Sequence, residues 1–444
     1  MAARIAFLSI ARTTFDIPLA TEVSNSAREK LSAAGFKVEG HPGLLTDLEL
    51  AKAAAHEIAQ NPPDLLIALQ ATFADSTMMV ALAEKINAPM LMWAIPEART
   101  GGRLRLNSLC GINLAAHALT LRKKKYHYLY TQPDDPEAIK HIAALANAGN
   151  VAQQLKRTTI GVVGEHPDGF DSCHLDAPLL KEKLGVQVKR LALDYVFTRA
   201  RKTQPQGVAA SRAQLAQHLD NLDQLEQKPL EGTLAVYQAL QAISKEQKLN
   251  GFAVRCWPEF FTDLGCAACG AMSMLNNENI PCGCEADVNG TITQLIMQWI
   301  GCEPAFGSDI VDIDAASNTG VLWHCGQAPF SMAEPSAQKH GGIHSNRRVP
   351  LVMEFPLKAG VVTLARLSRA SGELRLVIGR GEVISAPPSF SGTSGVVRFE
   401  NPAKQVLDTI MREGLEHHVA LAYGDHRATL RALADMLNLP VLNL

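Results

Sequence analysis

Short apolar runs alternating with amphipathic segments constrain this chain more than any single residue does. RIAFLSI (4–10) is followed by a polar turn and a helix-like stretch, ATEVSNSAREKLSAAG, which Gly35 closes. DLLIALQ (64–70) and PMLMWAI (89–95) are further runs of strand length, each separated from the next by a helical pattern. A strand that is apolar at nearly every position needs cover on both faces, so the pattern predicts a parallel sheet between helical layers. It restarts at TTIGVVGEH (158–166) and continues through VQVKRLAL (186–193), GFAVRCW (251–257) and NIPCGCEAD (279–287). Between them, RAQLAQHLDNLDQLEQ and LEGTLAVYQALQAISKEQ have helical spacing.

After about residue 345 the texture changes. VPLVMEFPLKAGVVTLARLSRASGELRLVIGRGEVI carries β-branched runs broken by Gly and Ser turns, with no room for helices between them. At 444 residues the chain also exceeds the size at which one hydrophobic core keeps growing. The expected architecture is therefore α/β: two doubly wound parallel-sheet (Rossmann-like) domains, 1–155 and 156–340, followed by a C-terminal antiparallel β domain, 341–444.

Forty-two basic residues against forty-four acidic ones leave no one-sign field to steer nucleic acid or an anionic membrane. Lys123, Lys124 and Lys125 form the one conspicuous basic run, which reads as a solvated helix end. The N-terminal MAARIAFLSIARTTFD lacks the apolar core of a signal peptide, and no long apolar stretch is present. A cytoplasmic protein with reduced thiols is the expectation; nine cysteines, an odd number, argue against a disulfide framework.

The stretch RCWPEFFTDLGCAACGAMSMLNNENIPCGCEADVNG (255–290) carries the chemistry. Cys266-x-x-Cys269 followed by Cys282-x-Cys284 superficially resembles a four-cysteine zinc site, but the second spacing is short for a ribbon, and small buried thiols explain the cysteines as well. Carboxylates are the stronger alternative. With GFAVRCW and IPCGCEA as neighbouring strands, Glu259 and Asp287 sit just past strand C-terminal ends, where open α/β sheets place ligands. Acidic groups meeting in a crevice need a cation or a shared proton. Oxygen donors suit Mg2+ or Mn2+, and an added imidazole shifts preference toward Mn2+, Co2+ or iron. His417 and His418 in GLEHHVALAYGD, and His324 in GVLWHCGQAP, are candidates. IARTTFD (10–16) and GGRLRLNSLCG (101–111) offer hydroxyl-binding side chains at strand ends. No GxGxxG, GxxxxGK[ST] or GxSxG motif is present.

CWPEF, CEADVNG, WHCG and the late HH, together with ATFADSTM, WAIPE and GGRLRLNSLCG, resemble the L-fucose isomerase/L-arabinose isomerase family, most strongly its shorter fucose-isomerase-like branch. The resemblance spans nearly the whole chain. It implies two α/β domains and a C-terminal β domain, a divalent metal, usually manganese, and interconversion of an aldose with a ketose through an enediol(ate). Carried over by motif, Glu259 and Asp287 are both metal ligands and the acid/base pair, with His418 as a further ligand. His324 matches a metal-ligating His of the arabinose branch but is not clearly required in the fucose branch. A shifted alignment of the CEAD segment makes Glu285 the ligand in place of Asp287, and His417 stands beside His418 as a metal or substrate contact. Family members commonly form hexamers or related homo-oligomers in which the first domain of one subunit completes its neighbour's site; Arg12, Gln70, Glu97, Arg103 and Asn107 are then substrate contacts. Isomerases of this branch are associated with sulfonated sugars such as sulfoquinovose, which sets an acidic sugar beside a neutral deoxysugar or pentose. The competing expectation is a non-catalytic sugar-binding or regulatory protein with the same two-lobed cleft.

Overall fold

The computed structural model describes residues 3–444. The chain divides into two compact units, Met1–Gln153 and Gln154–Leu444. In the first, the apolar runs become the strands Arg4–Ile10, Leu65–Gln70 and Met90–Ala94, buried at every position but Arg4. They pair in parallel, with Lys37–Glu39 beside the first and His127–Tyr130 beside the last. The order reverses direction between Arg4–Ile10 and Leu65–Gln70, the kind of switch point at which open parallel sheets place ligands.

The second unit repeats this plan in a four-stranded parallel sheet, ordered Cys282–Gly283, Gly251–Val254, Thr159–Val163 and Gln187–Leu191. Its longest helix, Gln227–Gln247, buries Leu230, Leu234, Tyr237, Leu240 and Ile243, a stripe at helical spacing. A third, nine-stranded sheet follows, mostly antiparallel, with parallel pairings only where Val352–Pro356 meets Thr393–Phe399 and Val441–Asn443 joins Arg375–Ile384. The fold is thus mixed α/β with two parallel sheets and a C-terminal antiparallel one.

The third sheet takes strands from both sides of residue 340, because Phe306–Asp314 and Thr319–His324 belong to it. Residues 154–444 hold together as one compact unit for a packing reason. Val163, Phe252 and Val254 of the parallel sheet share one core with Phe306, Leu322, Leu364 and Val377 of the antiparallel sheet. At about 1.5–3 kcal/mol per buried large side chain, such a continuous core opposes separation of the two sheets. Among the described residues no helix is long and apolar enough to cross a membrane.

Candidate active site

The segment after the edge strand Cys282–Gly283 is bent in an unusual way. Glu285 and Ala286 are consecutive non-glycine residues in the left-handed region, at φ 55° and 56°. Such backbone costs of order 1–3 kcal/mol per residue and persists where the surroundings enforce it. Asp287 then accepts the Gly290 N–H at 2.9 Å and caps the helix Val288–Gly301. The turn sends the two carboxylates to different places.

Asp287 is 2 % exposed and fully engaged. Both of its oxygens take the Arg366 guanidinium, and Oδ2 also takes the Nδ1 proton of His418 at 2.9 Å. Burial opposes the charge, but Arg366 and His418 hold this carboxyl well below the usual carboxylate range. Gly290 permits the arrangement, since a Cβ there would collide with Asp287 Oδ2 and crowd the Arg366 guanidinium.

Glu285 faces an open cluster. Its Oε1 accepts the indole N–H of Trp257 at 3.2 Å, while Oε2 lies 3.1 Å from Nε2 of His417 and 3.8 Å from Nε2 of His418. His418 begins the strand His418–Tyr423, and antiparallel register sets it opposite Asp309. The His418 Nε2 is 3.5 Å from Asp309 Oδ1, a buried oxygen with no hydrogen-bond partner among the described residues. Burial lifts the Asp309 carboxyl above its ordinary range, against the pull of His418. Burial likewise works against a charged His418, yet its bonds to Asp287 and Cys173 keep its pKa well above the ordinary histidine range. The Cys173 thiol joins the cluster of Glu285, His417 and His418.

The donor chemistry fits a divalent ion. Glu285 Oε2 and Asp309 Oδ1 approach the same His418 Nε2, at 3.8 and 3.5 Å, and the orphaned Asp309 oxygen is what an oxygen-seeking cation satisfies. With Nδ1–H given to Asp287, His418 turns Nε2 to that space, and this nitrogen would give up its proton to a bound ion. His324 is oriented the other way. Its Nδ1 accepts the Cys325 N–H at 2.8 Å, so the neutral ring carries its proton on Nε2. Burial holds His324 well below the usual pKa, keeping the ring neutral.

Of the residues singled out in the sequence, Asp287, Glu285, His417, His418 and His324 meet here; Glu259 does not. Arg255, four residues earlier, donates to both oxygens of Glu259 at 2.9 Å, and the pair is partly exposed. Asp309 carried no distinguishing signal, being one of three acids in GSDIVDID. The four cysteines with zinc-like spacing are not gathered either: Cys284 turns to Cys256 and Cys269 to Cys325, while Cys266 and Cys282 lie buried elsewhere in the core. In the first unit, Arg12 pairs with Asp75, Gln70 is buried and donates to Thr72 O, and Arg103 donates to Thr14 O. Glu97 accepts the backbone N–H groups of Arg105, Leu106 and Asn107, and lines a pocket of about 350 Å3 with Arg103 and Asn107.

Comparison with known proteins adds to this geometry. The model "Fucose/sulfoquinovose isomerase, N-terminal domain" matches residues 6–156, and "L-fucose isomerase, C-terminal domain" matches residues 322–444. The chain is 32% identical over 450 residues to the sulfoquinovose isomerase of Alkalicoccus urumqiensis, covering 99% of each chain. It is 32% identical to that of Priestia aryabhattai and 31% identical to that of Clostridium sp. (strain MSTE9), covering 98% of each chain in both cases.

Proposed function

Because this chain belongs to the fucose/sulfoquinovose isomerase family, we propose that it is a metal-dependent aldose–ketose isomerase whose substrate is a 6-sulfonated sugar of the sulfoquinovose class, converted to the corresponding ketose. The observation that carries the site is the approach of Glu285 and the unpartnered Asp309 oxygen to one nitrogen, Nε2 of His418. These three residues would hold the ion, with Mn2+ the best match to mixed carboxylate and imidazole donors. When bound, such an ion supplies Lewis-acid stabilisation of negative charge on the sugar oxygens.

The chain's own groups do the rest. Glu285 and Asp309 are carboxylates with which to take a proton from one carbon and return it to its neighbour, and to shift protons between the two oxygens, through an enediolate of the open-chain sugar. Asp287 does not move protons in this scheme: ionised by Arg366, it fixes the His418 tautomer. Nε2–H of His324 donates to a sugar oxygen. Trp257 holds Glu285 by its indole N–H, and the face of the same indole carries Arg347, whose guanidinium carbon is 5.3 Å from the ring centroid and which has no carboxylate partner among the described residues. Arg347 lines the cavity that holds Glu285, Asp309 and His324, and its fork suits a sulfonate. Arg12, Gln70, Glu97, Arg103 and Asn107 would complete the site from a neighbouring subunit of a homo-oligomer.

A panel of aldoses, sulfoquinovose included, tests the proposal by NMR detection of ketose. Turnover of sulfoquinovose that chelator abolishes and Mn2+ restores is the expected result. Sugar binding without turnover, at any metal concentration, would contradict it.

A further inference from the structure

A second group of metal-binding side chains faces the same cavity. Cys269, Cys325 and His344 each offer a donor atom, and these atoms all lie within 4.8 Å of one another. They come from three elements: Cys269 from the first turn of the helix Ala268–Asn277, Cys325 from the residue after the strand Thr319–His324, and His344 from the loop after His340–Gly342. All three line a cavity of about 180 Å3 together with Glu285, Asp309 and His324. The proposed isomerase chemistry uses none of them.

We propose that Cys269, Cys325 and His344 form a soft-metal site for an ion of the zinc class, distinct from the oxygen-rich site of Glu285, Asp309 and His418. Both cysteines are free thiols, with their sulfurs 3.1 Å apart. Tetrahedral zinc with bonds of about 2.3 Å to sulfur spaces two thiolates roughly 3.8 Å apart, so the pair opens by roughly 0.7 Å to admit an ion. Ala267, Val352 and Phe261 pack around Cys269 and Cys325, giving the thiolate–metal bonds an apolar surround. Cys325 and His344 are partly exposed, which leaves a way in. Loading follows Zn2+ + 2 RSH → Zn(SR)2 + 2 H+, the protons passing to solvent and the imidazole adding as a neutral third ligand.

Two sets of donors on one cavity therefore sort ions by softness: thiolates select zinc or cadmium, and carboxylates manganese. Three protein ligands leave a tetrahedral ion one open position, and all three line the cavity that the sugar needs. Zinc binding is thus inhibitory. That consequence rests on the isomerase proposal; the binding itself does not.

The test uses full-length Mn2+-loaded protein, kept anaerobic with a phosphine reductant and titrated with Cd2+. The ultraviolet charge-transfer band of cadmium–thiolate bonds should rise to a plateau at one equivalent per chain. It should vanish in Cys269→Ala and in Cys325→Ala, weaken at least 10-fold in apparent affinity in His344→Ala, and persist in Glu285→Gln and Cys256→Ala. Zinc should inhibit sugar turnover, and Cys269→Ala should lose that inhibition, measured against its own uninhibited rate. Absence of the band, its survival in Cys269→Ala, or its loss in Cys256→Ala would overturn the site. A band with the predicted variant pattern in a protein that turns over no sugar would leave the site standing and contradict only the isomerase proposal.

Discussion

Two carboxylate-bearing segments, CWPEF (256–260) and CEAD (284–287), follow adjacent parallel strands of one sheet, in which Phe252 is paired with Cys282. By topology they are equivalent, yet they treat their acids differently. Glu259 opens a short helix and spends both oxygens on Arg255, at 27 % side-chain exposure. The CEAD turn uses two left-handed residues to aim Glu285 at a histidine pair and to bury Asp287 at the N-terminus of a helix. Under the proposed assignment, a position past a strand end is not sufficient to make a metal ligand. Backbone conformation and the nearest cation decide which acid stays available.

Removing the acids on the available side should have the largest effect. Glu285→Gln and Asp309→Asn are each expected to lower kcat for aldose isomerisation by about 10²–10⁴-fold, the range for a positioned acid or base, with loss of bound Mn2+ by elemental analysis. Asp287→Asn comes next. It leaves the buried Arg366 charge without its hydrogen-bonded carboxylate and with only Glu416 at 3.8 Å, so denaturant unfolding should show a loss of about 3–5 kcal/mol. Metal affinity should fall about 10–100-fold as His418 loses its orienting carboxylate. Gly290→Ala should cost about 1–3 kcal/mol by the same measurement, because the new methyl group forces the Asp287–Arg366 contact apart. Smallest is Glu259→Gln: a partly exposed pair contributes at most about 1 kcal/mol, and turnover should stay within a few-fold of wild type. A loss at Glu259 as large as that at Glu285 would erase the distinction between the two segments.

Much of the fold was legible because the central parallel strands are largely apolar: the runs at 4–10, 64–70, 89–95, 158–166 and 251–257 each contain a strand. The strand Phe306–Asp314 was not read from the sequence because Asp309, Asp312 and Asp314 break up its apolar pattern, and the boundary expected at 340 followed the change of texture near residue 345. The site was only partly legible. HH and CEAD are local patterns, and both contribute to it. Asp309 depends on strand register opposite His418, a long-range fact that no spacing encodes. The choice of Glu285 over Asp287 depends on positive φ at residues that are not glycine, where sequence gives no warning.

Anomalous diffraction at the manganese edge, from crystals grown with Mn2+, tests the centre of this account. A single strong peak within bonding distance of Glu285, Asp309 and His418, with Asp287 on the far side of the His418 ring, is the expected result. A peak held by Glu259 and Asp287 would contradict it.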